Sequence, residues 1–132
     1  MFTSLPQVPG ALVAFGATLA LFSQPANAQA ASSPARGQQV FKAQCGACHS
    51  VIPGKNQIGP GLAGIVGRKA GKASGFRYSP ALANAAYTWD KARLDKFIAG
   101  PAKAVPGNRM PYPGLADAPS RQALLAYLAS VK

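Results

Sequence analysis

Apolar residues recur at helical spacing in the segment that follows Asp90. Leu94, Phe97 and Ile98 stand at i, i+3 and i+4, a spacing that places their side chains on one face of an α-helix. The pair Gly100-Pro101 predicts the end of this helix, because neither residue favours continued helical backbone. A last helix is predicted to begin near 117–119, and its apolar face is formed by Leu124, Leu125, Leu128 and Val131.

An earlier helix is predicted from its capping residues. The Ser33 side chain can accept hydrogen bonds from the first free N–H groups of a helix, and Pro34 suits the first helical position. The helix should therefore run from about Pro34 to the cysteine at 45. Gly37 lies inside it, where glycine costs about 1 kcal/mol relative to alanine, so we expect another helix to approach closely there. The residues expected to face inward are Val40 and Phe41.

The stretch between these helices is rich in residues that interrupt regular structure. Its glycines and prolines are Pro53, Gly54, Gly59, Pro60, Gly61, Gly64, Gly67, Gly71 and Gly75. The pair Ser79-Pro80 predicts one short helix after it, by the same capping argument. The sequence shows no alternating strand pattern, internal repeat or second domain, so we predict an all-α fold with four helical segments. A loop of this length is unusual in a compact domain unless it packs on something other than protein.

The first 28 residues have the composition of an export signal. An uncharged apolar run over 11–22 is followed by Ala26-Asn27-Ala28, which matches a small-x-small cleavage site. The run is shorter than the roughly 20 apolar residues that a membrane span needs. We therefore expect a signal peptide over 1–28 and one mature domain over 29–132 in the periplasm. The segment before the run lacks lysine and arginine, so an uncleaved anchor or a miscalled start codon is the alternative.

The charge of the chain is strongly positive. It carries 14 lysines and arginines against three acidic residues, a formal net charge of +11, and all of them follow the predicted cleavage site. A strong positive field favours acidic partners and electrostatically steered association. No basic run exceeds two residues and aromatic residues are not interleaved with the charges, which argues against a nucleic-acid partner.

Both cysteines and the single histidine of the chain fall in one motif, Cys45-Gly46-Ala47-Cys48-His49. Cys-x-x-Cys-His is typical of c-type haem attachment, in which the two thiols add to the two vinyl groups and the histidine ligates the iron. A haem would also give the long glycine-rich stretch an apolar body to pack on. A structural zinc site is disfavoured because it needs four ligands. A thioredoxin-like pair is disfavoured because the βαβ framework it requires is missing from the pattern.

A second axial ligand is needed on such an iron, and methionine is a usual partner for histidine. The chain has two methionines, Met1 and Met110, and Met1 would be removed with the leader. Met110 lies in a proline-fixed loop over 106–114, which is a poor setting for a core-filling side chain. We therefore predict His49 and Met110 as iron ligands. The alternative is a core-filling methionine with an open sixth position, as in a haem enzyme or gas sensor.

With these residues in place, the chain resembles the class I cytochromes c, soluble single-haem proteins of bacteria and mitochondria. The resemblance covers residues 33–132 and depends on the order and spacing of six segments. These are Cys45 to His49, Gly59-Pro60-Gly61-Leu62, Gly67-Arg68-Lys69, Gly75-Phe76-Arg77-Tyr78, Thr88-Trp89, and Pro106-Gly107 through Met110. The resemblance implies the small cytochrome c fold, in which helical segments and long loops surround one covalent haem c.

The resemblance also implies roles for single residues. The carbonyl of Pro60 would accept a hydrogen bond from the His49 imidazole and so orient it. The residues implied to hold a buried haem propionate are Arg68, Tyr78 and Trp89, although an ordinary core role is the alternative for the two aromatics. The residues implied to join the first and last helices are Gly37, Phe41, Leu124 and Tyr127. Further haem contacts are implied for Leu62, Phe97, Asn108 and Leu128.

Several positions depart from the mitochondrial relatives. Phe97 replaces a tyrosine, Leu82 an asparagine and Asn108 a threonine, so the polar network beside Met110 is reduced. Lysines around the exposed haem edge are also fewer, with Gln44, Gln57, Ala102 and Ala116 in their places. The basic residues that remain there are Lys55, Lys103 and Arg109. The large net charge is thus not concentrated where docking would use it.

These inferences together predict an electron carrier that is not itself an enzyme. The resemblance implies membrane redox complexes as partners: a quinol–cytochrome c oxidoreductase as donor, and a terminal oxidase or a photosynthetic reaction centre as acceptor. We expect a monomer with no stable membrane insertion after cleavage. A haem enzyme or gas sensor with a labile sixth ligand is the alternative function, and a thiol–disulfide module is a further one.

Overall fold

The computed structural model describes residues 30–132, and the predicted signal segment with its cleavage site lies outside the described residues. Five helices follow Ser33: α1 Pro34–Gln44, α2 Pro80–Ala83, α3 Lys91–Ala99, α4 Pro101–Ala104 and α5 Ala118–Ser130. The predicted all-α class is confirmed. Lys69 and Thr88 add an isolated antiparallel β-bridge between two loops.

All four predicted helix starts carry a side-chain cap. The side chains of Ser33, Ser79, Asp90 and Asp117 accept a hydrogen bond from the backbone N–H three residues later, at 3.3, 3.4, 2.7 and 2.9 Å respectively. Each cap satisfies one of the N–H groups that a helix leaves free in its first turn. Local sequence is therefore sufficient to fix where these helices begin.

The short helix α4 differs from the prediction, which ends helical structure at 100–101. Gly100 adopts φ −170° and ψ 84°, and this extended geometry terminates α3. Pro101 then occupies the first position of α4, where its fixed φ and missing N–H are no disadvantage. The pair that ends one helix therefore begins the next.

Helices α1 and α5 pack against each other at Gly37. A Cβ at this position would overlap the carbonyl oxygen of Ala123 and would lie 2.7 Å from the Cβ of Tyr127. Beside this contact the rings of Phe41 and Tyr127 are 5.7 Å apart, measured between centroids. The expectation that a close helix approach explains the helical glycine is confirmed.

The long segment between α1 and α2 is irregular but anchored. The backbone N–H of Leu62 donates to the carbonyl of Ser50 at 2.7 Å, and that of Gly64 donates to Val131, just after α5, at 3.0 Å. Gly64 has φ 66°, a left-handed conformation that side-chain-bearing residues rarely adopt. The segment thus forms a fixed wall over the rest of the molecule.

The buried core lies between this wall and the helices. Its members are Phe41, Ile65, Ala70, Trp89, Leu94, Phe97, Ile98, Leu124, Leu125, Tyr127 and Leu128. Of the last helix's predicted apolar face, Val131 is the member that is only partly buried. Within residues 30–132, none of the helices combines the length and the apolar character of a membrane span.

Candidate functional site

A cavity of about 410 Å³ opens inside the core. Its walls are mostly apolar and include core residues from the loops, α3 and α5: Ile65, Trp89, Leu94, Phe97, Ile98, Leu124 and Leu128. The motif cysteines and His49 lie on its lining, as does Met110. The hydrophobic core therefore surrounds this cavity.

Ten of the twelve predicted site residues line this cavity: Cys45, Cys48, His49, Pro60, Leu62, Tyr78, Trp89, Phe97, Met110 and Leu128. They come from positions 45–128 of the chain, and the loops bring them together. The other two, Arg68 and Asn108, are not among the residues that line it.

The His49 ring is oriented by the loop that faces it. Its Nδ1 lies 2.8 Å from the carbonyl oxygen of Pro60, and because a carbonyl can only accept, Nδ1 carries the proton. This tautomer leaves the Nε2 lone pair available to a metal. A Cβ at Gly59 would lie 2.6 Å from Nδ1, so glycine is needed for the loop to pack on the imidazole. These two residues form a cradle for a histidine ligand.

The two cysteines sit where α1 ends. The backbone N–H groups of Cys48 and His49 donate to the carbonyl of Cys45 at 3.0 and 2.9 Å, which turns the chain so that all three residues line the cavity. Burial, and to a lesser degree the neighbouring Cys48, raises the pKa of the Cys45 thiol to about 11. Redox-active Cys-x-x-Cys thiols have lowered pKa values instead. The environment therefore disfavours a thiol–disulfide module.

Met110 is held in its loop by Asn108. The side-chain oxygen of Asn108 accepts from the Met110 N–H at 2.9 Å. Its amide nitrogen donates to the carbonyls of Pro101 and Val105 at 2.8 and 2.7 Å. Asn108 thus fixes the Met110 backbone to α4, and these bonds use both polar atoms of its side chain.

The three residues predicted at a propionate are placed differently from one another. Tyr78 and Trp89 line the cavity, and the Tyr78 hydroxyl also accepts from the N–H of Ala73 at 3.3 Å. The Arg68 guanidinium donates to the carbonyls of Gly61 and Ala63 at 2.8 and 3.2 Å. Arg68 therefore braces the loop that carries Pro60, and the structure does not bring it to the cavity wall.

The cavity lining also includes residues that the sequence did not predict. Tyr112 lines the cavity, and its hydroxyl donates to the side-chain oxygen of Gln44 at 3.1 Å. This bond joins the Met110 loop to the end of α1 across the cavity. Ile58 also lines the cavity while 77% of its surface stays exposed. The position of Tyr112 two residues after Met110 is the one signal that could have pointed to it.

The side chains fit a haem. The cavity offers an apolar enclosure, two thiols from one turn of chain, an imidazole nitrogen with a free lone pair and a thioether sulfur. Imidazole and thioether are ligands that iron accepts in cytochromes, and together they favour low-spin electron transfer over open-site chemistry.

Comparisons with known proteins agree with this chemistry. A family model described as cytochrome c matches residues 34–132. Cytochrome c2 of Rhodoblastus acidophilus is 47% identical over 103 residues, covering 77% of this chain and 95% of that protein. Cytochrome c2 of Rhodomicrobium vannielii is 45% identical over 106 residues, covering 80% and 84%. Among solved structures, cytochrome cH from Methylobacterium extorquens aligns with a TM-score of 0.70 at 41% identity, covering 74% of this chain and 98% of that one.

Proposed function

The chain belongs to the cytochrome c family, and from that premise we propose that it carries single electrons in the periplasm through one haem ligated by His49 and Met110. Membership of the family implies a covalent haem c and a role in electron transport. The observation that carries the proposal is that the cavity in the core is lined at once by both motif cysteines, His49 and Met110.

Each of these side chains has a distinct task. Cys45 and Cys48 would hold the haem by thioether bonds, and His49, with Nδ1 donating to Pro60, would supply its nitrogen to the iron. A haem iron that alternates between the ferrous and ferric states supplies one-electron chemistry. The apolar walls exclude water, and Tyr78 and Trp89 offer donors to a propionate. Asn108 keeps Met110 at the cavity by holding its backbone N–H.

The partners we propose are membrane redox complexes: a quinol–cytochrome c oxidoreductase as donor, and a terminal oxidase or photosynthetic reaction centre as acceptor. The protein would work as an exported monomer and would not be an enzyme. A Met110 loop held to α4 by Asn108 supports a closed sixth position, which a haem enzyme or gas sensor would lack.

The test of ligation is Met110→Ala. Loss of the thioether should convert the iron to a high-spin or externally ligated form, because its sixth position is then open to a weak or external ligand. The midpoint potential should fall by on the order of 100 mV, because a soft ligand that favours ferrous iron is removed and each tenfold change in relative affinity for the two oxidation states shifts it by 59 mV. Absorption spectra with and without carbon monoxide, together with redox titration, measure both effects.

Leu115→Ala is the matched control, because Leu115 lies five positions beyond Met110 and packs on the core without lining the cavity. This control should keep the parental spectrum and carbon monoxide insensitivity. If Met110→Ala also kept them, Met110 would not be the ligand.

A further inference from the structure

The Met110 loop, residues 106–114, is anchored to the helices at both of its ends. Before the methionine, the side-chain amide of Asn108 donates to α4. Just after the loop, the backbone N–H of Leu115 donates to the carbonyl of Ile98 in α3 at 2.9 Å. These bonds fix where the loop begins and ends, and they leave its central part to be held by other contacts.

The central part of the loop is stiff. Pro111 and Pro113 lie on either side of Tyr112, and a proline fixes its own φ and restricts the backbone of the residue before it. The backbone N–H of Tyr112 also donates to the carbonyl of Met110 at 2.9 Å, which joins the two residues in one tight turn. A restraint on Tyr112 is therefore passed on to Met110.

The Tyr112 side chain supplies such a restraint through its bond to Gln44. Within residues 30–132 this is the one hydrogen bond that joins positions 109–113 to α1, with 3.1 Å between the two side-chain oxygens. Gln44 is the last residue of α1, directly before Cys45. Both partners line the cavity, and Gln44 is exposed. The bond therefore connects the Met110 loop to the cysteine motif at the solvent-facing edge of the cavity.

We propose that Tyr112 is a positioning residue: its bond to Gln44 holds the Met110 loop closed and keeps other ligands from replacing the methionine sulfur. The proposal rests on iron ligation by His49 and Met110. Another ligand can take the sixth position only when the sulfur leaves it. Because the loop is stiff between Met110 and Tyr112, that movement separates the tyrosine from Gln44. The bond thus stabilises the closed state relative to the open one.

The experiment titrates the ferric haem protein with imidazole at neutral pH and follows the absorption band of methionine sulfur bound to ferric iron. Tyr112→Phe keeps the ring and removes the hydroxyl. Because imidazole binds the open state, its Kd should fall by about two- to tenfold, the effect of losing one hydrogen bond. Tyr87→Phe is the matched control and should leave the Kd unchanged, because Tyr87 is also half-buried but does not line the cavity.

A double-mutant cycle tests whether the Tyr112 hydroxyl acts through Gln44. Gln44→Leu removes the acceptor and should lower the imidazole Kd as Tyr112→Phe does, and the double variant should lower it no further. Gln44→Glu keeps an acceptor oxygen and should hold the Kd at or above the parental value. An unchanged Kd in Tyr112→Phe, or two single effects that multiply in the double variant, would overturn the proposal.

The outcome is separable from that of the ligation proposal. A parental protein without the methionine band would overturn both proposals. A parental protein that shows the band, and whose imidazole Kd equals that of Tyr112→Phe, would overturn the role of Tyr112 alone. Gln44→Leu changes an exposed position at the end of α1, so the test does not depend on whether Tyr112→Phe folds.

Discussion

At the scale of single residues, the polarity of the Met110 side of the cavity depends on Phe97 and Leu82. Phe97 is buried, with its ring centroid 5.1 Å from that of Trp89, and both Phe97 and Leu82 line the cavity. Neither can donate a hydrogen bond. The side-chain amide of Asn108 is already bonded to α4 and to the Met110 backbone. These three residues therefore offer little dipole to stabilise the extra positive charge of ferric iron.

Phe97→Tyr should consequently lower the midpoint potential, because it adds a hydroxyl dipole to a dry wall. One hydrogen bond of about 0.5–1.5 kcal/mol corresponds to a shift of roughly 20–65 mV for a one-electron couple. The double variant with Leu82→Asn should lower it further. Redox titration with Met110 ligation verified spectroscopically is the measurement, and a midpoint that stays the same or rises would show that other factors, such as propionate burial, control the potential.

At the scale of elements, the pairing of α1 with α5 sets the frame in which the site is built. The motif follows the end of α1 directly, and α5 contributes Leu124 and Leu128 to the cavity wall. A change in the distance between these two helices would therefore move the cysteines relative to the wall they face. Gly37 controls that distance, because its missing side chain is what admits the Ala123 carbonyl.

Gly37→Ala tests whether the close approach of the two helices outweighs the higher helix propensity of alanine. In an isolated helix the change would stabilise by about 1 kcal/mol, whereas here the added methyl must push the two backbones apart, and overpacking of this kind costs about 1–3 kcal/mol. We expect a net loss in the free energy of unfolding, measured by denaturant titration of the haem protein. Gln38→Ala, an exposed neighbour on the same helix, should stay within about 0.5 kcal/mol of the parent. A Gly37→Ala protein as stable as the parent would show that α1 and α5 do not set this spacing.

At the scale of the whole molecule, most residues of the hydrophobic core also line the cofactor cavity. Most of the buried cluster, including Trp89, Phe97 and Leu124, faces the space. Without a bound group, the side chains that line this cavity of about 410 Å³ would lack packing partners, and an unfilled apolar cavity lowers stability in proportion to its volume.

The variant Cys45→Ala, Cys48→Ala, which cannot attach haem covalently, should therefore lose its cooperative thermal transition when prepared free of haem. Circular dichroism in the far and near ultraviolet separates residual helix from fixed packing. The haem-loaded parent is the reference, and it should melt in one sharp step. A haem-free variant with an equally sharp transition would mean that the walls collapse onto each other and that the cavity is not the organising feature.

The local features of this protein could be predicted from its sequence alone. Helix starts at Ser33, Ser79, Asp90 and Asp117 follow from capping chemistry that acts within one turn, and so they could be read directly. The motif at 45–49, together with the presence of one histidine and two methionines in the chain, likewise limited the possible iron ligands. Four helical segments and the all-α class followed from the same local patterns.

Tertiary structure decided what depends on residues far apart in the chain. The helix α4 begins at Pro101, directly after the extended backbone of Gly100, where the sequence pattern predicts an end to helical structure. Arg68 donates to the carbonyls of Gly61 and Ala63, and the Tyr112 hydroxyl donates to Gln44, which is 68 positions away in the sequence. Such placements are set by how loops without regular hydrogen bonding pack on the helices and around the cavity. No periodicity or cap encodes that packing, so only the folded chain reveals which side chains reach the site and which support it from behind.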